Sequence, residues 1–141
     1  GVFAATTDPW TPRTPPARQA VPGYLNFAPL ENAMVALRQA ADQYEVALAR
    51  PRAGGVRAEA NQLIRQVEAA LTNDKGLPRR SWYRHLIYAP GYYTGYGVKT
   101  FPGVREGLEQ GYWDEADREI GRIAERLTAA ARLIQEAAAK L

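Results

Sequence analysis

The longest regular feature of the chain is an apolar stripe near its C-terminus. Trp113, Ala116, Ile120, Ile123, Leu127, Ala130 and Ile134 recur in alternating steps of three and four, the spacing that lines one side of an α-helix. The segment "TAAARLIQEAAAK" adds strong helix formers. The spacing predicts a helix of about 26 residues, roughly 40 Å long at 1.5 Å per residue. Such a helix must bury its apolar side against other elements, and two more stripes supply them. Leu30, Met34, Leu37, Ala41, Tyr44 and Leu48 form one, with Pro29 in its first turn and Pro51 at its end. After the "RPRAGG" break, Val56, Ala60, Leu63, Val67 and Ala70 form the other, widened by Ile64 and Leu71 and stopped at Asn73-Asp74-Lys75-Gly76.

Two shorter pieces lie between. "RRSWYRHLI" predicts two helical turns with Ser81 as N-cap. "PGVREGLEQG" predicts another two, with Pro102 in the first turn and Gly111 closing it. No segment alternates with period two, so strands are not expected. A stripe of this kind also suits a cofactor box or a coiled-coil seam. Three stripes of similar length on short connections are the pattern of a bundle core. The predicted fold is all-α, with one long irregular loop at 89–102.

Composition removes several chemistries. At 141 residues one domain is expected, with the apolar and charged fractions of an ordinary globular protein. There is no cysteine, which excludes disulfides and thiolate chemistry, and His85 is the lone histidine. A zinc site is therefore not expected within this chain, since such sites draw on several histidine or cysteine ligands. The net charge of +3 comes almost wholly from scattered arginines, as on a solvated basic surface. No run of about 18 apolar residues is present to cross a membrane. The opening Gly1-Val2-Phe3-Ala4 has no leader pattern, and Gly1 in place of Met points to a piece of something longer. Six of the ten prolines fall within residues 1–29, so residues 1–25 read as an extended arm lying along a surface.

One segment stands apart. "HLIYAPGYYTGYGVKTFPG", residues 85–103, holds four tyrosines and four glycines. Trp82, Tyr83 and Leu86 have helical spacing and are expected in the core. Tyr92, Tyr93 and Tyr96 are not so spaced, and Gly91, Gly95 and Gly97 around them let the backbone approach a partner closely. Tyrosines packed down on the bundle are the plain alternative. Arg79, Arg80, Arg84 and Lys99 are interleaved with the aromatics, which keeps single-stranded nucleic acid as another. The remaining readings are a protein interface or a wall of a ligand site.

The order "GLPRRSWYRHLIYAPG", a tyrosine at 96, "TFPGVREGL" and "WDEADREI…AAA" resembles the C-terminal helical domain of glutamate carboxypeptidase II and the transferrin receptor, the transferrin receptor-like dimerisation domain. The upstream pair "LENAMVALRQAADQYEVAL" and "EANQLIRQVEAALTNDKGLP" is similar in position, so the resemblance covers about residues 26–141. It implies an up-and-down four-helix bundle, placed after an apical domain and a catalytic domain that holds two zinc ions. It implies a homodimer, and a loop equivalent to Ala89–Thr100 lent to the substrate pocket. In the glutamate-specific members a Lys-Tyr pair in this loop binds the glutamate side chain. Tyr96 matches the tyrosine and Gly95 stands at the lysine position, which removes the charge-assisted contact. Lys99, four residues on, is a candidate substitute.

The expectation is thus a dimerisation and pocket-shaping domain of a zinc-dependent exopeptidase, with no catalytic or metal-binding residue of its own. Tyr92, Tyr93 and Trp113 are its expected interface residues. The resemblance also points to a compartment outside the cytoplasm, and to neither nucleic acid nor membrane as partner of this segment. A receptor-like scaffold without chemistry is the alternative from a different class.

Overall fold

The structure, a computed structural model, describes residues 21, 23–50, 57–93 and 95–141. The expected break at 51–56 and most of the proline-rich arm lie outside those residues. Four helices carry the fold: α1 (Ala28–Leu48), α2 (Ala58–Ala70), α3 (Pro102–Gln110) and α4 (Trp113–Ala139). Two three-residue strands, β1 (Tyr88–Pro90) and β2 (Val98–Thr100), pair antiparallel, with Ala89 opposite Lys99. The strands correct the expectation of none, because a three-residue ladder is too short to show an alternating pattern. No described helix is long and apolar enough to cross a membrane.

Helix α4 is the hub, with α1, α2 and α3 each packed on it. Its predicted stripe holds: Ala116, Ile120, Ile123, Leu127 and Ala130 are buried, and Trp113 and Ile134 half-buried. On α1 the stripe is turned. Leu30 is buried and Leu37 and Tyr44 half-buried as expected, but the second row is Ala33, Ala40 and Ala47, while Met34, Ala41 and Leu48 face outward. Small side chains let α1 lie close on the alanine-rich flank of α4. The side-chain sizes alone do not reveal which flank of the Leu30–Leu37 row turns inward.

Two apolar clusters give the helix directions. Leu30 and Ala33, from the start of α1, meet Ile120, Ile123 and Leu127, from the first half of α4. Ala47 meets Ala137 and Leu141 at the other end, with Ala60 from the start of α2. Helices α1 and α4 thus run the same way and α2 runs against them. Gly103 abuts Glu119 and Gly107 abuts Ala116, so α3 also runs against α4. The order is up, down, down, up, in place of the strict alternation expected. The reason is that α3 has only nine residues and, with residues 71–101, stays at one end of the three long helices.

That end cap begins where α2 stops. Leu86 N–H donates to Leu71 C=O at 3.1 Å and Asn73 N–H to Arg84 C=O at 2.9 Å. Between them Leu77 N–H reaches Tyr83 C=O at 2.8 Å, closing a tight turn. Gly76 and Arg79 take left-handed backbone angles, φ 61° and 60°, and a β-carbon on Gly76 would stand 2.1 Å from Ser81 O. No helix passes through such a turn, so the two helical turns expected over "RRSWYRHLI" are absent. Trp82 and Tyr83 point outward while Leu86 is fully buried. Farther on, α3 starts at Pro102 and is capped by Gly111 (φ 73°), as the spacing of those residues predicts.

Candidate functional site

The tyrosine segment is a hairpin standing on a buried ion pair. Arg80 and Glu106 are almost wholly buried, their side chains 3% and 1% exposed. Arg80 Nη2 donates to both carboxylate oxygens, at 2.9 and 3.0 Å. Its Nη1 donates to Pro90 C=O at 2.7 Å, and Glu106 Oε1 accepts the Tyr92 N–H at 2.8 Å. The couple therefore ties turn 77–83, the end of β1 and α3 together. Removing one partner of such a pair costs about 3–5 kcal/mol, because the other charge is left buried alone. Among the described residues Arg80 Nε has no acceptor.

Aromatic rings gather on the arginines. The Tyr92 ring centre lies 5.6 Å from the Arg80 guanidinium carbon and 6.0 Å from that of Arg79. Arg79 also reaches the Tyr112 ring, at 5.2 Å, and Tyr93 meets Tyr92 edge-on at 4.9 Å. Arg79 is held by Glu115 through two hydrogen bonds, of 3.0 and 2.8 Å, which strengthen its hold on the proton. An open cleft of about 500 Å³ runs along this side, lined by Arg79, Tyr112, Trp113, Asp114, Glu115 and Arg118. The rings over Arg79 are thus Tyr92 and Tyr112, with Tyr93 edge-on to Tyr92 and Trp113 in the wall of the same cleft.

Tyr96 is treated differently. It is fully exposed beyond the Gly91 N–H to Gly97 C=O bond of 2.9 Å that closes the hairpin. Gly95 beside it has φ 69°, and a β-carbon there would meet nothing within 4 Å. Lys99 is buried on β2 with its ammonium paired to Glu109, whose carboxyl that hydrogen bond holds below the usual range. The four interleaved cations all carry acidic partners: Arg79 with Glu115, Arg80 with Glu106, Arg84 with Asp74 and Lys99 with Glu109.

His85 lies on the α2 side of the cap. Its Nδ1 accepts the N–H groups of Ile87 and Tyr88, both at 3.3 Å. Its Nε2 is 3.2 Å from Glu68 Oε1, which also accepts the Tyr88 hydroxyl at 2.9 Å and so raises the Tyr88 pKa. Among the described residues no group of three or more His, Cys, Asp or Glu could hold a metal ion.

Sequence reasoning placed the tyrosines and missed their foundation. Glu106 is hidden in an unremarkable amphipathic segment, and nothing local pairs it with Arg80, 26 residues away. The only hint was an arginine pair beside a tyrosine-rich loop.

Comparison with known proteins gives the chain its relatives. A probable glutamate carboxypeptidase of Arabidopsis thaliana is 33% identical over 84 residues, covering 55% of this chain and 12% of the relative. A probable glutamate carboxypeptidase of Arthroderma benhamiae is 38% identical over 79 residues, 56% of this chain and 11% of the relative. An inactive zinc metalloprotease of Schizosaccharomyces pombe is 33% identical over 64 residues, 45% of this chain and 8% of the relative. The matched part of the chain thus spans about a tenth of the length of these relatives. Residues 25–135, most of the hub helix and the whole hairpin cap included, match the transferrin receptor-like dimerisation domain, and the chain belongs to that family.

Proposed function

We propose that this chain is the dimerisation and pocket-shaping domain of a glutamate carboxypeptidase-like zinc exopeptidase. Catalysis would belong to a separate domain, whose two zinc ions would supply the activation of water for peptide hydrolysis. The observation that carries the reading is the hairpin itself: a fully exposed Tyr96 held out on a base that is buried and ion-paired. Exposed tyrosine on a rigid support suits contact with something outside the chain. The Tyr96 hydroxyl would donate a hydrogen bond to the substrate's C-terminal residue. Gly95 supplies no charge there, and the Lys99 ammonium is engaged by Glu109, so Tyr96 carries the assignment. Tyr92, Tyr93 and Trp113 would face the catalytic and apical domains or the second subunit of a homodimer.

The test is kinetic. In the full-length protein, Tyr96→Phe lowers turnover of peptides and leaves dimerisation and thermal stability intact, since the side chain is fully exposed. Unchanged kinetics across a panel of C-terminal residues would remove the pocket assignment.

A second reading is a scaffold of the same fold without chemistry. It is favoured by the matching relative named as inactive and by the glycine at 95. Absence of a His/Asp/Glu zinc constellation in the full-length protein would decide for it.

A further inference from the structure

We propose that the buried Arg80–Glu106 pair is a positioning device for the tyrosine hairpin, ordering its tip separately from the helical core. The argument starts from the weakness of the hairpin. Each strand has three residues and, among the described residues, no third strand joins them, and a lone two-stranded hairpin is marginal in water. One further backbone bond, Gly91 to Gly97, extends the ladder toward the tip.

The hairpin's base is held by Lys99 to Glu109 of α3, by the Tyr88 hydroxyl to Glu68 of α2 and by the buried Ala89. The anchors at Pro90 and Tyr92, where β1 leads into the tip, come from the pair. Arg80 Nη1 donates to the Pro90 carbonyl, Glu106 Oε1 accepts the Tyr92 N–H, and the Tyr92 ring centre lies within 6.0 Å of both the Arg79 and Arg80 guanidinium carbons. Glu106 sits on α3, which packs on α4, so the tip is referred to the core through this carboxylate. Its two oxygens accept three hydrogen bonds at once. A glutamine amide cannot do this, since one of those oxygens becomes a donor facing the arginine.

Charge is not needed here merely to hold the fold together. An apolar pair of similar volume often stabilises a core as well as a buried ion pair does, but it offers nothing to a carbonyl at 90 or an amide at 92. Arg80 and Glu106 are therefore positioning residues. Their effect on substrate rests on the reading of the hairpin as a pocket wall; their effect on hairpin order does not.

The test is amide hydrogen exchange by NMR on the 141-residue chain. The test variant is the paired substitution Arg80→Met with Glu106→Leu, which leaves no orphaned charge. The Gly91 and Tyr92 amides should exchange at least about tenfold faster, while those of Ile123 and Leu127 stay within about twofold. Unchanged hairpin exchange, or acceleration shared equally by α4, overturns the proposal. In the full-length protein the paired variant should lower peptide turnover in the same direction as Tyr96→Phe. If Tyr96→Phe moves the kinetics and the paired variant does not, positioning fails. If neither moves them, the pocket reading fails, and exchange alone decides the device.

Discussion

Gly103 of α3 lies directly against Glu119 of α4. A β-carbon on Gly103 would stand 2.6 Å from Glu119 Oε2 and 2.9 Å from its Cγ. Glu119 cannot simply swing aside: it is buried, and Arg122 holds it at 2.6 Å while also donating to Gly76 C=O at 2.8 Å. One carboxylate thus sets how closely the short helix rides on the long one, and links both to the turn at Gly76. Replacing Gly103 by Ala should destabilise the chain by about 1–3 kcal/mol, the usual cost of overpacking. Urea unfolding would measure it, and wild-type stability in Gly103→Ala would mean that α3 shifts freely.

Two glutamates should give opposite pH limbs. Burial raises the Glu119 pKa above the ordinary value of about 4.5. The folded state then binds the proton more tightly, so this stability is full below about 4.5 and is lost as pH rises through the folded pKa. The Lys99 hydrogen bond lowers Glu109, whose contribution is present above about 4.5 and lost as pH falls through its folded pKa. Melting of the chain against pH should show Glu119→Gln flattening the descending limb and Glu109→Gln the acid limb. The Glu109 limb should shrink in salt, because that carboxylate is partly exposed. Limbs that persist in both variants would assign the titration elsewhere.

Arg79 offers a test in which strain and contact oppose each other. It occupies the left-handed region, where a residue with a β-carbon pays roughly 1–2 kcal/mol. Arg79→Ala keeps that strain and loses both Glu115 and Tyr112. Arg79→Gly loses the same contacts and relieves the strain, against an unfolded-state entropy gain of about 0.4–1 kcal/mol. Glycine should therefore be more stable than alanine at this position, by about 0.5–1 kcal/mol. Equal or reversed order in chemical denaturation would show that the turn relaxes once the ion pair is gone.

The end cap is where local reading of the chain failed, and Arg80 shows why. Ser81 and the aromatic residues after it favour a short helix on propensity. A buried bidentate partner on α3 and the close approach of Gly76 to Ser81 outweigh that preference, and the segment becomes a turn with Trp82 outside. The same force assembles the hairpin, whose strands no local pattern announces. The tyrosine-rich loop stood out between "YAP" and "FPG", whereas the pair beneath it did not.

The amino-acid sequence by itself determined the three long helices, the ends of α3 at Pro102 and Gly111, the absence of thiol chemistry, and the family. These are properties of spacing and residue type that act within a turn or two of chain. Tertiary structure alone decided the alanine face of α1, the course of α3 against α4, and the partners of Arg79, Arg80 and Lys99. Each of those depends on groups far apart in sequence meeting in a dry interior, where one buried carboxylate outweighs several residues' worth of local propensity.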